Sequence, residues 1–295
     1  MIDPTPPIAG TPAPADMNLY RDQLQKPEGV LRAELSKKFD GKEFVLVRGF
    51  LTDTLDRIGI MMQDQKQAIE NLGRPVRKVG EPFDSENTPD VNATAIVAMV
   101  KSAALPVILV THSKGSVDTL TMLINNPSVR EKIAGWVSIQ GAVQGSTVAD
   151  FLVGTGTTPA IIEAAKRAVL SVVFEHLFKG SLGALDSLRT SDRVEYLRRN
   201  AAEIDKIVAR ISIVAYGSAA PMSRSALRTL TDPFFKGEPH NDGLVSVERT
   251  VIPGARIIHD LDGPDHGDAV IDVPGPQDWD RIRLTYALLS LLERN

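Results

Sequence analysis

A chain of 295 residues, 43% of them hydrophobic, can bury a sizeable core, and α/β folds of this length are often single domains. Its 33 basic and 37 acidic residues are mixed along the chain and sum to a formal charge of -4, which argues against a nucleic-acid or anionic-membrane surface. The absence of cysteine excludes disulfides, thiolate metal sites and a cysteine nucleophile.

No apolar run reaches the roughly 18 residues that span a bilayer, and the start lacks a basic region followed by an apolar segment. The chain as given therefore reads as soluble and cytoplasmic, and as secreted if a signal was removed. Between Pro4 and Pro14 five prolines and Gly10 disfavour helix and central strand, predicting a flexible, extended lead-in over residues 1–16. The rest, 17–295, is expected to be one domain.

From Glu43 onward short β-branched runs alternate with longer segments of helical period. That is the pattern of an α/β fold, a mostly parallel sheet with helices on both faces. Strands are expected at Phe44 to Val47, Val76 to Val79, Val107 to Val110, Gly135 to Ile139, Ile211 to Ala215 and Ala255 to Ile258. Helices are expected near Leu55 to Leu72, Ala93 to Ala103, Ser116 to Asn125 and Asp278 to Glu293. The alternation breaks between Phe151 and Arg210. There Thr158 and Pro159 can start an apolar helix that Gly180 ends. Val194, Leu197, Ala201, Ile204 and Val208 then recur at the spacing of a second helix. Residues 151–210 thus read as an inserted helical cap.

The apolar run Val107 to Val110 leads into Thr111-His112-Ser113-Lys114-Gly115, close to the G-x-S-x-G elbow on which a serine is raised between a strand and a helix. Residues two before and two after such a serine must be small, because strand and helix pass closely there. Gly115 meets this requirement, and Thr111 stands where glycine is usual. The plain alternative is a serine that only caps a helix. A serine hydroxyl needs a base held by a carboxylate, and after such an elbow the order is acid, then histidine. His112 is set aside as lying beside the serine on the opposite side of the turn, and His176 and His240 precede the best acid. His266, in the loop Asp262 to Gly267, is favoured over His259, which closes a strand. Asp242, in Asn241-Asp242-Gly243, is the favoured acid over Asp260, Asp262 and Asp265; its plain alternative is an Asx-turn. For the oxyanion, the Lys114 amide supplies one donor by position and Phe50 or Leu51, after Gly49, the second. Leu51 is also placed at the substrate. The side chains of Lys114 and Arg48 are expected to be solvated or structural.

Taken in order, these motifs resemble the bacterial triacylglycerol lipases within the α/β-hydrolases. Val47 to Phe50 is similar to the lipase oxyanion loop, Thr111 to Gly115 to the elbow, Gly141 to Ser146 to the glycine-serine loop before a lid, and Asn241 to Val245 to the acid loop. The resemblance spans most of Glu43 to Asn295 and implies that residues 151–210 form a lid over an acyl pocket. The chain departs from the pattern at Arg48, where histidine is usual, and at Thr111. Asp268 stands where a calcium-binding aspartate is common, without a convincing partner ahead of Asp242, so no metal and no cofactor is assigned. The expected activity is a serine esterase or lipase acting on a small-molecule or lipid-like ester with a hydrophobic acyl group. An amidase, thioesterase or acyltransferase with the same three residues, or an inactive binding protein of this fold, are the alternatives.

Overall fold

The structure, a computed structural model, describes residues 4–49, 59–80, 83–153, 183–235, 237–271 and 279–293. Two helices precede the sheet, α1 (Pro14–Gln25) and α2 (Glu28–Lys38). Neither is anticipated by the sequence reading, because each buries only two side chains and shows no apolar stripe. Strand β1 (Glu43–Val47) is followed by α3 (Gln63–Asn71), β2 (Val76–Lys78), α4 (Pro89–Ser102), β3 (Val107–His112) and α5 (Lys114–Asn125). After β4 (Ile133–Ile139) come α6 (Thr147–Val153), the short α7 (Gly183–Asp186), α8 (Thr190–Arg199) and α9 (Ala201–Val208). The chain then runs through β5 (Ile213–Ser218), α10 (Ala226–Thr231), β6 (Arg256–Asp260) and α11 (Arg281–Ser290).

The six strands form one parallel sheet in the order β2-β1-β3-β4-β5-β6. Alternation along each strand sends side chains to two separate cores. Phe44, Leu46, Ile108, Val110, Val137 and Ile139 pack under α1, α2, α3 and α11, whereas Val45, Val47, Leu109, Trp136 and Ile213 pack under α4, α5 and α9. Strand β3 is central and buried along its whole length, as its unbroken apolar run requires. The order reverses between β1 and β3, the switch point outside whose carboxyl ends open α/β sheets bind their ligands.

Several boundaries differ from expectation for local reasons. The helix expected from Leu55 begins only at Gln63, because Met61 bridges to Ile271 and Met62 takes a left-handed φ of 54°; residues 55–58 lie outside the described residues. The strand expected from Ile211 begins at Ile213, since the Ile211 amide closes the preceding turn on the Ile207 carbonyl at 2.8 Å. The helix expected through Val194 to Val208 is two helices broken at Asn200, whose side chain donates to the Tyr196 carbonyl at 2.8 Å. These helices sit in the body, not in a cap: Leu197, Ile204 and Ile207 pack in the same core as Leu120, Leu123 and Ile213. An apolar stripe shows that a face is buried but not against what, and a parallel β4 to β5 connection needs a crossover helix. The other expected cap helix, near residues 160–178, lies outside the described residues.

Residues 4–13 form no helix or strand, but they are docked where a flexible lead-in is expected, and α1 already begins at Pro14, inside the expected lead-in of residues 1–16. The Thr5 amide donates to Thr190 Oγ1 at 3.1 Å and its carbonyl accepts from Arg249 at 3.0 Å. Ile8 exchanges two hydrogen bonds with the buried Gln144 amide, at 2.6 and 3.2 Å. Proline removes donors, and this segment uses the few backbone groups it keeps.

Candidate active site

Strand β3 ends at His112 and α5 begins at Lys114, leaving Ser113 alone on the turn with φ 52° and ψ -127°. A non-glycine residue in this region is strained and persists only where its surroundings over-determine it. Here the Ser113 amide donates to the Ile139 carbonyl at 3.1 Å and its carbonyl accepts from Ser116 at 3.0 Å. A Cβ at Gly115 would lie 2.5 Å from the Val47 and Arg48 carbonyl oxygens, and one at Gly49 would lie 2.8 Å from Ser113 Cβ. Both positions therefore need glycine. Thr111 is accommodated differently: its hydroxyl accepts from Trp136 Nε1 at 2.8 Å and shares a hydrogen bond with Ser116 at 2.7 Å, and Ser138 donates to Ser116 at 2.9 Å. A buried polar chain fills the space that a glycine would leave.

The structure brings Ser113, His266 and Asp242 together across 153 and 24 residues of sequence: His266 Nε2 is 2.8 Å from Ser113 Oγ and His266 Nδ1 is 2.9 Å from Asp242 Oδ2. Asp242 is fully buried, and its other oxygen accepts the amides of Leu244 at 2.9 Å and Val245 at 2.8 Å. That is the Asx-turn of the plain reading, and it coexists with the bond to His266. The His266 amide donates to the Asp242 carbonyl at 3.0 Å, so backbone and side chain both join the two loops. With Nδ1–H given to the carboxylate, Nε2 is the imidazole lone pair facing the serine.

His112 is not on the far side of the turn from His266. Its ring centroid is 4.7 Å from that of His266 and its Nε2 is 3.0 Å from the His266 carbonyl. Burial first, and then the neighbouring His266, holds its pKa well below the ordinary value, so the ring is neutral. His259 lies on β6 opposite Gly217, and burial followed by His240 lowers its pKa to about 4. Its Nε2 has no hydrogen-bond partner among the described residues. Asp260, set aside as the acid, accepts from Tyr20 at 3.0 Å and from Tyr216 at 3.2 Å.

Lys114 is the first residue of α5, so its amide is one of the four that no carbonyl of the helix can accept. Its side chain is fully buried rather than solvated, paired with Asp118 at 2.9 and 3.0 Å, and Asn92 donates to the same carboxylate at 2.8 Å. The four-residue spacing of Lys114 and Asp118 on one helix is the signal that the sequence reading passed over. Arg48 lies over the Phe83 ring and donates to the Val79 carbonyl at 2.7 Å. Phe50 and Leu51, expected at the oxyanion and substrate, lie outside the described residues. The Asp268 carboxyl is pushed up to about 6 by burial and by Asp265, against the pull of Arg281. Among the described residues no group of three or more acidic or histidine side chains could hold a metal ion.

No family model matches the chain, and no curated protein matches it. Among solved structures it is similar to a metagenomic carboxyl esterase, at 24% identity and a TM-score of 0.66, over 85% of this chain and 75% of that one. It is also similar to the Bacillus licheniformis lipase BlEst2 in its mature form, at 18% identity and a TM-score of 0.58, over 76% of this chain and 84% of that one. Likeness at this identity speaks for the scaffold, a parallel sheet with helices on both faces.

Proposed function

We propose that this protein of α/β-hydrolase fold is a serine hydrolase of carboxylic esters. One observation carries the reading: the unbroken run of hydrogen bonds from Ser113 Oγ through the His266 imidazole to the buried Asp242 carboxylate, with the serine on a strained elbow. His266 Nε2 takes the hydroxyl proton as Ser113 Oγ attacks the ester carbonyl carbon. Asp242 holds the tautomer and stabilises the imidazolium that forms. The Lys114 amide donates to the oxyanion, with Phe50 the proposed second donor. His266 then protonates the leaving alcohol, an acyl-Ser113 forms, and water deprotonated by His266 releases the acid.

A small apolar cluster of Val117, Ala142, Ala149, Leu185, Leu188 and Val245 stands apart from both sheet cores and includes Val245 of the acid loop, and a hydrophobic acyl group is proposed to lie against its edge. Phe151 stacks on Phe234 at 3.9 Å between ring centroids beside α6. The proposed lid interrupts this cluster along the chain, between Ala149 and Leu185, and is confined to the stretch before Thr190, because α8 and α9 belong to the body. Residues 17–295 form one domain in this reading.

A panel of p-nitrophenyl esters of increasing chain length, with a fluorophosphonate label, tests the proposal. Ester hydrolysis and labelling of Ser113 are expected, with Ser113→Ala reducing turnover by up to about a millionfold. Equal hydrolysis by Ser113→Ala, or absence of labelling in folded protein, would overturn it.

A further inference from the structure

We infer that Gln140, together with His112 and Ser218, positions the His266 imidazole by clamping the backbone of its loop from beneath. The inference deepens the proposed reaction and rests on His266 being its base. Three consecutive carbonyls of the loop are each held by a buried side chain. Ser218 Oγ donates to the Pro264 carbonyl at 2.7 Å, Gln140 Nε2 to that of Asp265 at 3.0 Å, and His112 Nε2 to that of His266 at 3.0 Å. The donors stand at the carboxyl ends of three adjacent strands: His112 closes β3, Gln140 directly follows β4, and Ser218 closes β5. The loop therefore crosses the edge of the sheet as a strap tied once per strand.

The donor hydrogens of all three side chains are committed, while Gln140 Oε1 has no partner among the described residues. The second hydrogen of the Gln140 amide goes to Ser218 Oγ at 2.6 Å, which leaves that hydroxyl's own hydrogen for Pro264. A neutral imidazole has one ring proton, and the neighbouring carbonyl requires it to be on Nε2 of His112; Nδ1 has no partner among the described residues. A protonated His112 would put a second cation against the imidazolium that forms on His266, and its burial prevents that.

Gln140 holds its place at a cost in backbone strain. It is fully buried and, like Ser113, has a left-handed backbone, with φ 49°. Glycine would adopt that angle without strain, but glycine has no amide to give to Asp265 and Ser218. The side chain rather than the backbone accounts for a glutamine here. The His266 ring lies between fixed points on the Ser113 and Asp242 side, so a shift of its backbone is transmitted directly to the Nε2 to Oγ distance, and misplacement of about 1 Å is costly to rate.

Gln140→Gly separates positioning from stability, because it removes the amide while relieving the backbone. With a p-nitrophenyl ester we expect kcat to fall on the order of a hundredfold with KM nearly unchanged. Thermal stability should hold better than activity. In protein with 15N-labelled histidine, the proton shared by His266 Nδ1 and Asp242 should broaden or vanish. His112→Leu should act in the same direction, and His112→Gln, which keeps an amide donor, should recover part of the loss. The clamp is overturned if Gln140→Gly keeps both kcat and the His266 proton signal, or if activity falls only with the folded fraction. A wild type that neither hydrolyses esters nor takes the fluorophosphonate overturns the reading of the site instead, and the His266 signal then judges the clamp on its own.

Discussion

At the scale of single residues, the same side-chain type is put to three uses. His266 faces a serine and a carboxylate, His112 supports the His266 carbonyl, and His259 is half-buried on an edge strand. His266→Asn should therefore cost several orders of magnitude in kcat, whereas His259→Gln should leave turnover nearly intact; kinetics on one ester decide between them. Two shifted groups outside the proposed reaction, His259 and Asp268, give opposite pH signatures. His259, lowered from 6.5 to about 4, is charged in the unfolded chain but neutral in the fold between those values, so its contribution to stability is lost as pH falls through that window. Asp268, raised from 3.8 to about 6, binds its proton more tightly in the fold, so stability falls as pH rises between those values. Melting temperature followed from pH 4 to 8 should lose the first trend in His259→Gln and the second in Asp268→Asn. Ser113, Asp242 and His266 were legible because chain order filters candidates strongly. His112 and Gln140 were not, since nothing local shows that a strand-end side chain turns toward a loop more than a hundred residues away.

At the scale of elements, the turn and helix carrying Ser113 depend on charges with no contact to solvent. Lys114 and Asp118 are both buried, with Asn92 on the carboxylate, and burial raises the Asp118 pKa against the pull of Lys114. Removing one partner of such a pair strands the other, so Lys114→Met should destabilise the fold by about 3–5 kcal/mol. Replacing both partners, in Lys114→Met with Asp118→Leu, should recover much of that loss in urea unfolding. The polar chain at Thr111 behaves alike on a smaller scale: Thr111→Val leaves Trp136 Nε1 without its acceptor and should cost about 1–3 kcal/mol, while Thr111→Ser should cost less. Central strands were legible from their unbroken β-branched runs, and α5 from its place after the elbow. Helices α1 and α2 were not, because two buried side chains each leave no periodic trace. The stripe of α8 and α9 reads as helical but is the same whether it faces a lid or a sheet, so their packing in the body leaves no mark in the sequence.

For the whole molecule, the order β2-β1-β3-β4-β5-β6 sets Gly49 and Ser113 side by side across the switch point, and Ser113, with His266 and Asp242 bonded to it in turn, lies at the carboxyl edge of the sheet. The fold class was therefore open to sequence reading through its alternation of short and long periods. The packing of the amino-terminal segment was not, because its partners Gln144, Thr190 and Arg249 are distributed over the rest of the chain.

That docked segment sets an order of assembly. Thr5 and Arg249 are 244 residues apart, and at a synthesis rate of about 5–20 residues per second the interval between them is roughly 10–50 s. Its seat is complete only after Arg249 has been made, so the segment docks after that point. Until then the Arg249–Glu238 pair and the Gln144 amide wait without its carbonyls. Native-state hydrogen exchange should register this as an early opening, with the Thr5 and Ile8 amides exchanging through a fluctuation of lower free energy than the amides of β3. Equal protection of both would show that the segment closes together with the sheet.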